Sequence, residues 1–302
     1  MKTLLMLTSY CQPLIFTRAK ITVFLSFISP LFLLAILGFV PSATAPVEPE
    51  PIRLYRLDCG KIDFKDLSFF SDTGDYDGKG GELVVPCYLI KHPKGWLMWD
   101  TGLSNSLIGK PEVNMLGATE TVSSSIESQL KAIGITFKDI NFVSFSHSHA
   151  DHTGNAELFK DATWILQKRE LEYASAKPTP GGIKPEYVSL LNSVKKTQID
   201  GDYDVFGDGR VKLLFVPGHT PGHQAISIKL EKSGTYILAG DLYHMDYSRE
   251  HQLVPIFNYN RAETLASIHR IEALAKVRKA KVITQHEPKD EKLFPILPKY
   301  LD

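Results

Sequence analysis

With 302 residues, 43% of them hydrophobic and 23% charged, the chain is long enough to bury one large core or two small ones and has no bias toward a disordered or fibrous protein. Its formal net charge is zero, and setting aside the first 45 residues, whose only charges are Lys2, Arg18 and Lys20, leaves 31 basic against 34 acidic groups. That balance excludes the strongly basic face a nucleic-acid binder needs and favours a small or neutral substrate.

At the N-terminus, Arg18 and Lys20 precede the apolar run Ile21 to Val40, and the small-residue stretch Ser42-Ala43-Thr44-Ala45 follows, which is the order of an export signal. Residues 1–45 are therefore expected to direct export, to the periplasm or out of the cell. Cleavage after Ala45 satisfies the Ala-x-Ala pattern, yet the apolar run is also long enough for an uncleaved membrane anchor. Soluble and tethered forms both stay open. Residues 46–51, rich in proline and glutamate, read as a linker, and the folded domain is expected over 52–302.

Short β-branched and apolar runs predict strands at Ile52 to Leu57, Leu83 to Ile90, Gly95 to Trp99 and Asn141 to Ser146, all in one sheet. Cys59 and Cys87 lie in such contexts, and two buried thiols are expected, with a Cys59–Cys87 bridge open if their strands are neighbours. Apolar residues at Val122, Ile126, Leu130 and Ile133 keep a helical period over Thr121 to Ile133 that Gly134 closes. In the second half, strands are predicted at Thr163 to Leu166, Val211 to Val216, Gln224 to Leu230, Tyr236 to Ala239 and Lys281 to Thr284. A helix is predicted over Ala262 to Arg278, and Ala176 to Gly182 reads as a loop. The fold class is α/β, and a sandwich of two mixed sheets flanked by helices fits this order as well as a generic layered arrangement does.

Where the Asn141 strand stops, His147-Ser148-His149-Ala150-Asp151-His152 places four metal-ligand side chains in six positions. Histidine and carboxylate suit zinc, and three protein ligands on an ion leave room for water, the mark of a catalytic site. Residues two apart in an extended segment point the same way, so His147 and His149 face one ion. Asp151 and His152, as the chain turns into a helix, face a second. Three later strands also run into ligand-type residues: Val216 into Pro217-Gly218-His219-Thr220-Pro221-Gly222-His223, Ala239 into Gly240-Asp241, and Thr284 into Gln285-His286. Strand ends are rigid supports for ligands, and His223, Asp241 and His286 are the candidates.

The H-x-H-x-D-H run, the Gly-His-Thr-Pro-Gly-His turn, Gly240-Asp241 and His286 together resemble the metallo-β-lactamase fold superfamily, from about Ile52 to the C-terminus. The resemblance implies an αβ/βα sandwich and two zinc ions per chain. By it, His147, His149 and His223 hold one ion, Asp151, His152 and His286 the other, and Asp241 bridges them. His219 is then structural, and Asp100, in Trp99-Asp100-Thr101-Gly102, supports the ligand loop from behind.

Within that superfamily, Leu57-Asp58-Cys59-Gly60, Val85-Pro86-Cys87-Tyr88-Leu89-Ile90 and Gly240-Asp241-Leu242-Tyr243-His244 resemble the N-acyl-homoserine lactonases that silence bacterial quorum sensing. This implies opening of a small lactone ring by a hydroxide shared between the ions, with Asp151 passing a proton to the leaving oxygen. Well-known members of that family carry a tyrosine three residues after the bridging aspartate. Here that position is His244, and Tyr243 is one residue earlier, so His244 or Tyr243 or neither contacts the substrate. Ala150 stands where some relatives carry a bulky aromatic, which implies a roomier acyl pocket.

Another hydrolase on the same scaffold, acting on an organophosphate, a thioester or a different lactone, is the alternative, because fold does not fix substrate. A metal-holding or signal-binding protein without turnover is the alternative from a different class, and the complete ligand set argues against it. The segments Phe69-Phe70 and Val254-Pro255-Ile256-Phe257 are either ordinary core or the wall of an acyl tunnel. No nucleic acid is expected as partner, the membrane enters only through the N-terminal segment, and a homodimer is neither required nor excluded.

Overall fold

Two sheets arise because most strands send alternate side chains to opposite faces and both faces are apolar. The computed structural model describes residues 50–302, so the export segment and most of the linker expected over 46–51 lie outside the described residues. Among the described residues the first sheet runs in the order β4 (Glu112–Val113), β5 (Thr119–Thr121), β1 (Arg53–Phe64), β2 (Gly81–His92), β3 (Gly95–Trp99), β6 (Phe142–Ser144), β7 (Thr163–Gln167), β8 (Lys196–Ile199). The second is β13 (Lys281–Ile283), β12 (Gly234–Leu238), β11 (Gln224–Leu230), β10 (Val211–Phe215), β9 (Tyr203–Asp204).

Leu54, Tyr88, Ile90, Leu97 and Trp99 from the first sheet meet Leu213, Ile226, Ile228, Tyr236 and Leu238 from the second in one buried layer. The intervening residues face outward onto helices. Leu57, Leu89, Met98 and Val143 pack with Ile126 and Leu130 of α1 (Ile126–Ile133). Leu214, Ala225, Ile237 and Ala239 pack with Ile268 and Ile271 of α5 (Arg261–Arg278). Each such side chain contributes roughly 1.5–3 kcal/mol by leaving water. The arrangement is the helix-flanked sandwich of two mixed sheets.

Differences from the sequence expectations have local causes. The helix expected from Thr121 starts at Ile126, because Thr119 to Thr121 pair with Lys61 to Asp63 as a strand and the Ser125 hydroxyl caps the helix by accepting from Ser128 N–H. Thr163 to Leu166 joins the first sheet rather than the second, since it lies parallel to β6 with Phe142 opposite Thr163. Cys59 and Cys87 are not free thiols but a disulfide with Cα atoms 5.8 Å apart. A break in the β1–β2 register between Asp58 and Lys61 makes the pairing possible: Leu57 faces Cys87 directly, and the irregular stretch after it brings Cys59 beside its partner.

The short parallel strands decide where the ligand-bearing loops emerge. β3 runs parallel to β6 in one sheet and β12 parallel to β13 in the other, so their carboxyl ends project together at one edge of the sandwich. There the sheets are stitched by backbone hydrogen bonds, Gln224 N–H to Ser146 C=O at 2.9 Å and Val84 N–H to His286 C=O at 3.1 Å.

The disulfide closes a loop with a sequence separation of 28. Replacing both cysteines by alanine is expected to lower the unfolding free energy by roughly 3–4 kcal/mol, read from urea midpoints. An unchanged midpoint in the double variant, with unchanged denaturant slope, would contradict it.

Candidate metal centre

The loop after β6 leaves the sheet extended at His147 and His149 and then turns into α2 (Ala150–Thr153), so its four ligand-type residues leave the chain in two directions. Gly182 in the loop expected at Ala176 to Gly182 lies against the His149 ring. A Cβ there would fall 2.6 Å from Cδ2, and φ is +81°, so glycine is required on both counts. From the second sheet, β10, β12 and β13 deliver His219, Asp241 and His286. Two groups of ligand atoms result, His147, His149, His219 and Asp241 in one and Asp151, His152 and His286 in the other.

Asp241 lies between them. Its Oδ1 is 2.9 Å from His286 Nε2 and 3.1 Å from His152 Nε2. Its Oδ2 is 3.4 Å from His219 Nε2, 3.8 Å from His147 Nε2 and 3.1 Å from His244 Nε2. One oxygen faces each group. Asp151 Oδ2 sits 3.6 Å from His152 Nε2 and 3.8 Å from His286 Nε2, and with 22% of its side chain exposed it stands at the mouth, whereas His147 and His152 are sealed.

Hydrogen bonds behind the ligands decide which ring nitrogens are available. His286 Nδ1–H donates to Val84 C=O at 2.7 Å, which turns Nε2 toward the Asp241 carboxylate at 2.9 Å. His152 Nδ1–H donates to Asp100 Oδ2 at 3.0 Å, again leaving Nε2 toward the centre. Asp100 also accepts from Ser146 N–H at 2.6 Å and Gln285 Nε2 at 2.6 Å, so it fastens the ligand loop from behind. His149 Nδ1 and His219 Nε2 face one another at 3.1 Å. Buried His147 Nε2 makes no hydrogen bond, and neither does His152 Nε2, although Asp241 Oδ1 lies 3.1 Å from it. Buried ring nitrogens without a partner, gathered around a carboxylate, are costly unless a cation lies among them. The donor set therefore fits divalent metal.

Electrostatics agree. Burial holds His147 and His219 well below the usual imidazole range and His149 at about 4, so these rings are neutral and free of a competing proton at neutral pH. Burial opposes charge on His152 and His286 as well, but Asp241 and the other carboxylates around them raise both. Asp241 itself is held well below the carboxylate range, because its burial is outweighed by the surrounding histidines.

Three sequence expectations need correction. His223 is not in either ligand group: its Nε2 accepts from Asp241 N–H at 2.9 Å and its Nδ1–H donates to Val216 C=O at 3.1 Å, which uses both nitrogens. His219, expected to be structural, stands in the first group in its place. Tyr243 also turns away, donating its hydroxyl to Glu272 at 2.8 Å, whereas His244 faces the centre. The Phe70 ring lies tilted against the His244 ring with centroids 4.8 Å apart, and the Phe257 ring centroid is 5.8 Å from that of His219, so part of both apolar segments lies over the site. Sequence reasoning misses Ser146, whose Oγ lies 3.1 Å from His147 Nδ1 and 3.0 Å from His152 Nδ1; its place just before the ligand run is the one available signal.

Residues 80–286 match the family model of the Metallo-beta-lactamase superfamily. The chain is 34% identical to an N-acyl homoserine lactonase, AttM, of Azorhizobium caulinodans, over 83% of this chain and 99% of that one. It is 29% identical to the N-acyl homoserine lactonase AiiA of Bacillus thuringiensis subsp. kurstaki, over 74% and 89% of the two chains. A solved structure of an N-acyl homoserine lactone hydrolase, with the product N-hexanoyl-L-homoserine at its catalytic metal centre, superposes with a TM-score of 0.73 at 28% identity, covering 82% of this chain and 98% of that one.

Exchanging the two turn histidines separates their roles. His219→Ala is expected to weaken metal binding by more than about a hundredfold while the metal-free protein keeps its stability. His223→Ala, which strips two buried hydrogen bonds, is expected to cost the metal-free protein about 2 kcal/mol and to weaken metal binding less. Metal titrations and denaturant melts on both variants check this, and the reverse order of metal affinities would return the ligand role to His223.

Proposed function

Because the chain belongs to the metallo-beta-lactamase superfamily and, within it, to the N-acyl homoserine lactonase family, we propose that it is a two-zinc hydrolase that opens the lactone ring of N-acyl-homoserine lactones. The observation that carries the two-ion reading is the split of the Asp241 carboxylate, with Oδ1 toward His152 and His286 and Oδ2 toward His147 and His219. Zinc is an ion that nitrogen and carboxylate donors suit, and iron and cobalt accept the same donors. When bound, the ions supply Lewis acidity, making hydroxide available near neutral pH and polarising the ester carbonyl.

The chain's own residues do the rest. His147, His149 and His219 would hold one ion and Asp151, His152 and His286 the other, with the Asp241 carboxylate between the two groups. Asp151, the one partly exposed carboxylate at the centre, takes a proton from the attacking water; the hydroxide so formed adds to the lactone carbonyl carbon, the ring C–O bond breaks, and the departing alkoxide recovers that proton from Asp151. The products are an N-acyl-homoserine carboxylate and a released proton. His244 stands 3.1 Å from Asp241 Oδ2 and is backed by the Phe70 ring, so it takes the substrate-facing place of the tyrosine found three residues after the bridging aspartate in well-known relatives. The apolar edge of Phe70 and Phe257 receives the acyl chain. Ala150, partly exposed beside Asp151, leaves room for a long one.

The export reading of residues 1–45 enters on the same footing. A disulfide between Cys59 and Cys87 supports it, since such bonds persist in oxidising compartments.

Proton release from a series of homoserine lactones, run beside a phosphotriester and a β-lactam, tests the assignment. Ring opening across short and long acyl chains is expected, and activity on another substrate with none on lactones would overturn it. Asp151→Asn, which keeps a ligand oxygen but loses the proton carrier, is expected to lower kcat by on the order of 10²–10⁴. A variant with unchanged kcat removes Asp151 from the proton transfer.

A further inference from the structure

Glu170, on α3 (Lys168–Ala174), is a buried carboxylate that touches no ligand atom, yet it gathers the two loops that carry the first ligand group. Its Oε1 accepts from Ser148 N–H at 2.8 Å. Its Oε2 accepts from Thr220 Oγ1–H at 2.7 Å and from Gly222 N–H at 3.0 Å. Ser148 lies between His147 and His149 on the loop of the first sheet. Thr220 follows His219 on the loop of the second. One side chain thus joins ligand segments from opposite halves of the sandwich.

The approach is close enough to constrain the sequence. A Cβ at Gly222 would fall 2.3 Å from the Glu170 backbone nitrogen, so glycine there permits the turn to sit against α3. The sheets do not depend on this carboxylate, because Gln224 N–H to Ser146 C=O at 2.9 Å and Gln224 Nε2 to Phe145 C=O at 2.8 Å join the same regions independently. What Glu170 adds is register: the spacing of the His147–His149 pair from His219, whose Nε2 stands 3.1 Å from His149 Nδ1.

We infer that Glu170 is a positioning residue for the metal centre, setting the distance between the two histidine loops and through it the affinity and geometry of the first ion. The inference rests on reading the cluster as a metal centre. Glutamine is the informative replacement. It has the same shape, but its amide donates, so whichever way it turns an N–H faces either Ser148 N–H or Gly222 N–H, and one loop loses its anchor.

The test uses the full-length protein stripped with a chelator, titrated with Co(II) and followed by its visible ligand-field spectrum. Glu170→Gln is expected to bind the first equivalent about 10–100-fold more weakly, with shifted bands. Glu170→Asp, which keeps an acceptor-only carboxylate, is expected to recover part of the affinity. Thr220→Val, which removes one of the three bonds and leaves the carboxylate buried and folded, is expected to lose about threefold to tenfold. A Glu170→Gln protein that binds Co(II) within about twofold of the parent, with the same spectrum, overturns the inference even if its melting temperature falls. Should that variant fail to fold, an unchanged spectrum and affinity in Thr220→Val overturns it instead. A parent chain that takes up no Co(II) refutes the metal centre itself, a separate outcome from variants that bind as well as the parent.

Discussion

One carboxylate organises this protein's chemistry. Asp241 is buried among five imidazoles, His147, His152, His219, His244 and His286, and faces two of them with one oxygen and three with the other. A buried anion in such company is far from its ordinary titration range, and bare imidazole nitrogens around it lack donors. A cation placed between the rings and the carboxylate satisfies both demands. The hydrogen bonds of Val84 and Asp100 to His286 and His152 aim nitrogens at that position.

The fold supplies this arrangement through strand ends. Parallel pairs in each sheet terminate at one edge, and each ligand lies within a few residues of a strand whose other side chains are locked in the core. The second layer of contacts is equally specific. Val84 C=O fixes the His286 ring, Asp100 fixes His152 and the backbone of Ser146, and His223 is used inside the scaffold to hold the Asp241 backbone. Rigid support of this kind lets a loop as short as the His147 to His152 run present ligands in two directions.

Much of this is legible in the chain. The short β-branched and apolar runs Ile52 to Leu57, Leu83 to Ile90 and Gly95 to Trp99 predict strands of one sheet, and six positions with four ligand-type side chains announce a metal. Where the sequence misleads, the deciding information is three-dimensional. The Gly-His-Thr-Pro-Gly-His turn offers two histidines four residues apart, and only the hydrogen bonds show that His223 has no nitrogen to spare. Tyr243 and His244 are adjacent, and burial against Glu272 removes one of them. The disulfide depends on a register break in β1 that no local pattern marks. Glu170 sits in an ordinary charged helical run, Lys168-Arg169-Glu170, where nothing separates a buried anchor from a solvated face.

Anomalous diffraction at the zinc edge, on crystals of the zinc-loaded protein, measures the central claim directly. Two peaks are expected, one among His147, His149 and His219 and one among Asp151, His152 and His286, each beside a different oxygen of Asp241. A single peak, or one bound through His223 with Asp241 outside its coordination sphere, would contradict the two-ion centre built on that carboxylate.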